Sequence, residues 1–422
     1  MAKERRDSKN RLLGKGEYQK EDGRYMYRYT DINGKARFVY SWTLVKTDRT
    51  PKGRTPGVCL RDLEKQIADQ LNNGIDIFTA SKTTVNDYFE KFLSTKKKIK
   101  HTTRRGYRHK YDLYIRERIG NREISTIKFT DICSCYADIL DKCGIAESTL
   151  SICDAALRQT FNLAKRDNLI RDNPVSSALI EVARSRESNK TQKDALTPQQ
   201  QEVFLNFLGD SKVYSKWKNF YTVMLWTGCR VGEVCGLTWD DCDFDNNVIH
   251  IRRTVGYAPN EVTGKYVWYV QSPKTCASVR DIPMFSVVRD ALQDERRRSL
   301  VEGFCKTVID DVSGFVFQSR FGNAIIPNEA NKILTRVVNA YNKKETMAAE
   351  IEHRKPFLLQ DFTPHTLRHT FCTRMCASGL DLKVIQRAMG HSNIAMTMDV
   401  YNNITTDYMQ ESFKSIDSII TA

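Results

Sequence analysis

The sequence predicts a multidomain chain, mainly α with small β. It should comprise an N-terminal three-stranded sheet plus one helix, a helical middle, and a larger, mainly helical unit carrying a small antiparallel sheet. Three observations predict this. The chain has 422 residues, more than one hydrophobic core sustains. Strand-like patterns are confined to residues 17–42 and 247–283, whereas helical spacing of apolar residues runs through the rest. The net charge of +15 is also unevenly placed: residues 1–80 carry an excess of +6, residues 81–196 of +8, and the remainder only +1. A generally basic surface would not be partitioned in this way, so a polyanionic partner for the first two parts is the leading expectation. The boundaries drawn from these patterns are 1–76, 80–183, a linker at 184–195, and 196–422.

Residues 1–15 are polar and basic and read as an arm. Beyond them, Glu17–Lys20, Arg24–Thr30 and Lys35–Trp42 read as strands separated by turns at Glu21-Asp-Gly23 and Asp31-Ile-Asn-Gly34. Alternation through the second strand puts Arg24, Met26 and Arg28 on one face and Tyr25, Tyr27 and Tyr29 on the other. Leu60, Leu63, Ile67 and Leu71 recur at helical spacing, so one sheet face is expected to lie on a helix ending at Asn72-Asn-Gly74. A sheet can enter a major groove, and Arg24 and Arg28 are its candidate DNA contacts.

From Thr83 a helical pattern of Val85, Tyr88, Phe89 and Phe92 runs into a basic stretch that includes Lys96, Lys97, Lys98, Arg104 and Arg105. Interleaved with Thr and Tyr, these cations suit phosphate contacts that give affinity without sequence information; a solvated face is the plainer alternative. Helices follow around Thr102–Ile119, Thr130–Cys143 and Glu147–Asp167, and Asn173-Pro174 closes the pattern. In the third unit, helices are expected at Pro198–Leu208, Trp217–Thr227 and from Arg230 to Leu237. Strands are expected at Asn247–Arg253, Lys265–Gln271 and Ser278–Pro283, with Pro259 and Gly264 in the turn joining the first two. Helical patterns dominate after Val287, and Glu345–Lys355 is polar enough for a loop or an exposed helix end. No stretch has the apolar run of a membrane span, and the start, Met-Ala-Lys-Glu-Arg-Arg, lacks the apolar core of a secretory signal. The twelve cysteines include no Cys-x-x-Cys, so Cys133/Cys135 and Cys372/Cys376 read as buried free thiols and no metal site is expected.

Candidate chemistry sits in the third unit. Gly228-Cys-Arg230-Val-Gly-Glu233 sets Arg230 at a helix start with a carboxylate one turn later, spaced to fix its guanidinium. Lys274, in Ser272-Pro-Lys-Thr-Cys276, is either a solvated turn lysine or a cation delivered into a cleft. In Asp361–His369, Thr363 can cap a helix and Pro364 suits its first position. His365 and Arg368 then share one face near the positive end of the helix dipole, which suits a phosphate. His391 follows Gly390 on a tight corner, and Tyr401 lies on a Met- and Val-rich helix where a core tyrosine is the ordinary reading.

Taken in order, Arg230, Lys274, His365, Arg368, His391 and Tyr401 fall within Gly-x-Arg-x-Gly-Glu, Pro-Lys-Thr, His-Thr-Leu-Arg-His and Gly-His-Ser followed by Tyr. This set resembles the active site of the tyrosine recombinase family, the phage-type integrases. The resemblance covers residues 196–405, and a basic three-stranded domain before a helical one resembles the layout of conjugative-transposon integrases. It implies an arm-type DNA-binding domain at 1–76, a core-binding domain at 80–183, and a catalytic domain at 196–422 whose helix 407–422 is exchanged between protomers of a tetramer. The implied activity is site-specific recombination through a 3′-phosphotyrosyl intermediate, integrating and excising a mobile genetic element such as a conjugative transposon.

In that scheme Tyr401 is the nucleophile, Arg230 and Arg368 clamp the phosphate and His391 adds a hydrogen bond. Lys274 is the general acid, His365 moves a proton, and Glu233 orients Arg230. The implied partners are double-stranded DNA at core-type and arm-type sites, with an excisionase and DNA-bending proteins as accessories. The implied setting is the bacterial cytoplasm, at the nucleoid, and no metal, ATP or other cofactor is required. Two rival readings are a type IB topoisomerase-like relaxing enzyme, against which the basic sheet domain stands, and a non-catalytic or degenerate DNA-binding protein, against which the complete residue set stands.

Overall fold

The computed structural model describes residues 5–401 apart from 73, 98, 100, 187–194, 261–262 and 272–278. Lys98, Lys274, most of the expected linker and the expected exchange helix 407–422 lie outside the described residues, as does the side chain of Tyr401. The chain forms two compact units, residues 1–190 and 191–422. Among the described residues no helix is long and apolar enough to cross a membrane.

The first unit begins with strands β1 (Glu17–Gln19), β2 (Tyr25–Thr30) and β3 (Ala36–Ser41), antiparallel in that order. Helix α1 (Leu60–Asn72) follows. The alternation works as expected: Tyr25 and Tyr29 are buried while Arg28 is exposed. Leu13, Tyr25, Leu44 and Leu60 form the small core between sheet and helix. Arg24 is half-buried, paired with Asp22 and lying over the rings of Tyr40 and Trp42.

A short helix, α2 (Ile77–Ala80), leads into α3 (Val85–Thr95) and α4 (His101–Tyr114). Then come α5 (Phe129–Cys143), α6 (Glu147–Arg166) and α7 (Ala178–Arg184). A reciprocal cap between Thr84 and Asp87 starts α3, and Phe89 stacks on Tyr111 with ring centroids 3.6 Å apart. The helix expected through Ile119 instead ends at Tyr114 and continues as a wider turn over Arg116–Gly120. Of the expected DNA contacts here, Lys96, Lys97 and Arg105 are exposed. Arg104 is not presented to solvent in the same way: its guanidinium donates to the Leu93 and Lys96 carbonyls at 2.9 and 2.8 Å, capping the end of α3.

The second unit opens with α8 (Pro198–Asp210), α9 (Lys218–Thr227) and α10 (Val231–Cys235). Strands β4 (Cys242–Asp243), β5 (Val248–Ile251), β6 (Thr254–Pro259), β7 (Tyr266–Gln271) and β8 (Arg280–Pro283) follow. The expected strand Asn247–Arg253 does not pair with the expected Lys265–Gln271. The chain breaks direction at Arg252-Arg253, so β5 lies between β4 and β8 while β6 and β7 form a separate hairpin. Pro259 ends a strand and only Gly264 lies in the connecting turn.

Helices α11 (Ser286–Glu302), α12 (Pro327–Ile351), α13 (Pro364–Ala377), α14 (Leu382–Met389) and α15 (Ala395–Tyr401) complete the unit. The polar stretch after Glu345 is the end of α12, where Arg354 folds back onto Glu345. Phe204, Phe220, Tyr221, Leu292, Leu334 and Leu367 lie in one core that pins α8, α9, α11, α12 and α13 together. Cys135, Cys372 and Cys376 are buried free thiols and Cys133 is half-buried.

Candidate active site

Four helix ends meet at the site. At the first, α9 stops at Gly228, whose φ of 62° is the left-handed conformation that terminates a helix. Only glycine fits for a second reason, since a Cβ there would come within 2.4 Å of the Phe371 ring. Two residues later Arg230 is the N-cap of α10. Glu233 reaches back to its backbone N–H at 2.9 Å and accepts from its guanidinium at 2.7 Å. The expected carboxylate-to-arginine orientation is therefore present, with Glu233 2% exposed and the Arg230 side chain 39% exposed.

Helix α13 brings in His365 and Arg368. Thr363 is its N-cap, and the Thr366 hydroxyl accepts from the Thr363 N–H at 3.2 Å. His365 stands at the surface, while Arg368 is 2% exposed. The position of Arg368 is set by backbone carbonyls: it donates to Gly228 O at 2.7 Å and to Met389 O. The fourth end is that of α14, where Gly390 takes the left-handed cap conformation and the His391 N–H returns to Gln386 O at 3.1 Å.

The last carbonyls of a helix lack intrahelical partners and sit at its negative end. Here three in succession each receive a different guanidinium. Ala388 O accepts from Arg280 at 2.6 Å, Met389 O from Arg368, and Gly390 O from Arg230 at 3.1 Å. Arg280 also holds both oxygens of Glu233, at 3.2 and 2.9 Å, and both side chains are 1% exposed.

Three guanidiniums around one carboxylate shape the electrostatics. Burial opposes ionisation of Glu233, but Arg280 and Arg230 outweigh it and hold the carboxyl below its ordinary range. Burial and then Arg230 lower Arg368 to about 10. Burial, followed by Arg368 and Arg230, pushes His391 down to about 4, so its ring is neutral at pH 7. Burial and Arg368 lower His365 in the same direction. His391 Nδ1 lies 3.0 Å from the buried Thr397 hydroxyl, one turn before Tyr401 on α15. An open cleft of ≈ 490 Å³ adjoins His391 and is lined by Arg252, Lys383 and Arg387 among others. Among the described residues, no three His, Cys, Asp or Glu side chains gather as a metal-ligand set.

The structure thus brings Arg230, Glu233, Arg368 and His391 together, with His365 beside them and the backbone of Tyr401 ending α15. Sequence reasoning missed Arg280 and Thr397. Arg280 was detectable only as a charged residue in phase with Ile282 on the buried face of β8. Thr397 was detectable only as a residue four before the tyrosine.

The phage integrase family matches residues 194–407, and the DNA binding domain of Tn916 integrase matches residues 1–71. The chain belongs to the phage integrase family. Its relatives within this tyrosine recombinase family extend over both units. This integrase-family chain is 32% identical over 421 residues to the transposase from transposon Tn1545 of Streptococcus agalactiae, covering 99% of the chain and 98% of that relative. The same figures hold for the transposase from transposon Tn916 of Enterococcus faecalis. Among solved structures, the Tn1549 transposon integrase in complex with transposon right end DNA is 31% identical, with a TM-score of 0.69 over 79% of this chain and 100% of that one.

Proposed function

We propose that this enzyme is a site-specific DNA recombinase that integrates and excises a conjugative transposon, and that the meeting point of α9, α10, α13 and α14 holds the scissile phosphate. The observation that carries the reading is the surplus of positive charge, with Arg280 and Arg368 buried and Arg230 partly exposed. Arg230, Arg280 and Arg368 face a single carboxylate, Glu233, beside a histidine kept neutral, and an anion complements the charge of such a pocket. The guanidiniums of Arg230 and Arg368 each offer five N–H donors, and carbonyls and Glu233 engage some of them, leaving others for phosphate oxygens.

The chemistry follows from the residue types. The Tyr401 hydroxyl attacks phosphorus, a bond to the 3′ phosphate forms, and the bond to the 5′ oxygen breaks. Lys274 gives that oxygen its proton, and His365 takes one from the tyrosine. Arg230 and Arg368 stabilise the charge that builds on the non-bridging oxygens. With its Nδ1 engaged by Thr397, His391 presents its other ring nitrogen to the phosphate. The phosphotyrosyl bond keeps the energy of the broken phosphodiester, so the scheme uses neither ATP nor a metal ion.

Double-stranded DNA is the substrate. The exposed Arg28 face of the first sheet would meet arm-type sites, and Lys96, Lys97 and Arg105 the core-type sites. A tetramer linked through residues 407–422, with an excisionase and DNA-bending proteins, completes the scheme in the bacterial cytoplasm. Support for a transposon role comes from the Tn1545 and Tn916 relatives, which match along the whole chain.

The test is a nicked suicide substrate. Wild type should form a covalent protein–DNA adduct that maps to Tyr401, and Tyr401→Phe should form none. If neither forms an adduct, or both do, the scheme is wrong.

A further inference from the structure

Arg280 is buried and tied to several places at once. It donates to both oxygens of Glu233, at 2.9 and 3.2 Å, and to Ala388 O at 2.6 Å, and lies 3.7 Å from Cys229 Sγ. Glu233 Oε1 is shared, since Arg230 donates to the same atom at 2.7 Å. Without a second cation, the full charge of this buried carboxylate would fall on Arg230, in direct competition with a phosphate. With Arg280 in place, the Glu233–Arg280 pair is neutral, and Arg230 and Arg368 keep their charges for an anion.

We propose that Arg280 is a positioning residue of the recombination site, one that neutralises Glu233 so that Arg230 is oriented by a carboxylate without being quenched by it. This rests on the recombinase reading above. The same side chain fastens β8, the strand that follows the Lys274 segment, to the end of α14 that precedes His391. The carboxylate orients the clamp, and Arg280 sets how much of the clamp's charge remains.

The experiment compares the wild-type full chain with Arg280→Met and with Arg280→Met combined with Glu233→Gln. Single-turnover cleavage of the suicide substrate is measured per bound complex, alongside DNA affinity and thermal midpoint. Arg280→Met should cleave at least thirtyfold more slowly while affinity changes less than threefold. The double variant removes one charge of each sign and keeps a side-chain carbonyl for Arg230. It should recover at least tenfold of the lost rate.

A purely structural role would lower the thermal midpoint and leave the rate per bound complex unchanged. That outcome overturns the proposal, as does a double variant no faster than Arg280→Met. If Arg280→Met does not fold, Arg280→Gln, which keeps a donor for Ala388 O, takes its place in the same comparison. Absence of cleavage by the wild type would count against the recombinase reading itself. A wild type that cleaves, together with Arg280 variants that match it, counts against this inference alone.

Discussion

Arg368 is 2% exposed, and burial together with the neighbouring Arg230 lowers it from the ordinary guanidinium range to about 10, a drop of roughly two to three pH units. At 1.36 kcal/mol per pKa unit, the charged guanidinium sits in the fold at a disadvantage on the order of 3 kcal/mol. The sign follows from linkage: a base held less tightly protonated in the folded chain than in the unfolded one disfavours folding wherever it is charged. Because the folded value is the lower one, the full disadvantage is present below pH 10, which includes neutral pH.

An anion in the clamp should recover part of this. If it recovers a third or more, the gain is about 1–3 kcal/mol, or roughly 2–12 °C in the unfolding of a unit this size. The assay is calorimetry of the full chain in sulfate against chloride at matched ionic strength. Sulfate stabilises most proteins through exclusion from their surfaces, so the informative quantity is the difference between wild type and Arg230→Met or Arg368→Met. Wild type should gain several degrees more than either variant. An equal sulfate shift in all three would refute the view that the pocket binds an anion.

Acid should weaken the fold through His391: its folded value of about 4 lies below the ordinary 6.5, so the stability it contributes is present above pH 6.5 and lost as pH falls towards 4. Urea unfolding at pH 5 should reveal a loss of roughly 2 kcal/mol relative to pH 7.5, and His391→Gln should remove it. Gly228→Ala meets both a left-handed backbone and the Phe371 ring, so denaturant melts should register a loss of about 2–5 kcal/mol. Arg104→Ala uncaps α3 and should lower stability by about 1–2 kcal/mol without changing the salt dependence of DNA binding. Lys97→Ala should leave stability alone and reduce the salt slope by about one, as read by titrations at several salt concentrations.

Much of the fold was legible because local signals agreed with it. The alternation in Tyr25–Tyr29, the helical spacing of Val85, Tyr88, Phe89 and Phe92, and Pro198 at the start of α8 each specify an element by short-range chemistry. The split between β5 and β6 was not legible, because Arg252-Arg253 carries no glycine or proline to mark the break. In the site, the spacing of Arg230 and Glu233 encodes their bond directly. The partners of Arg368 could not be read in the same way, since they are backbone carbonyls 140 and 21 residues away and carbonyls leave no trace in a sequence. Arg280 was hidden for a related reason: its acceptors come from α10 and α14, and a strand arginine ordinarily reads as solvated.

The end of α14 also decides which changes the site can absorb. The groups that hold Arg280, Arg368 and Arg230 there are oxygens of residues 388, 389 and 390, and no point mutation can delete a main-chain oxygen. What mutation can alter is where the helix stops. Inserting or removing one residue in α14 would turn its last carbonyls by about 100° and misdirect all three arginines together. Substitution at residues 388 and 389 therefore leaves these acceptors in place, whereas a change in helix length does not, and Gly390, whose left-handed conformation sets the stop, is the position on which that register depends.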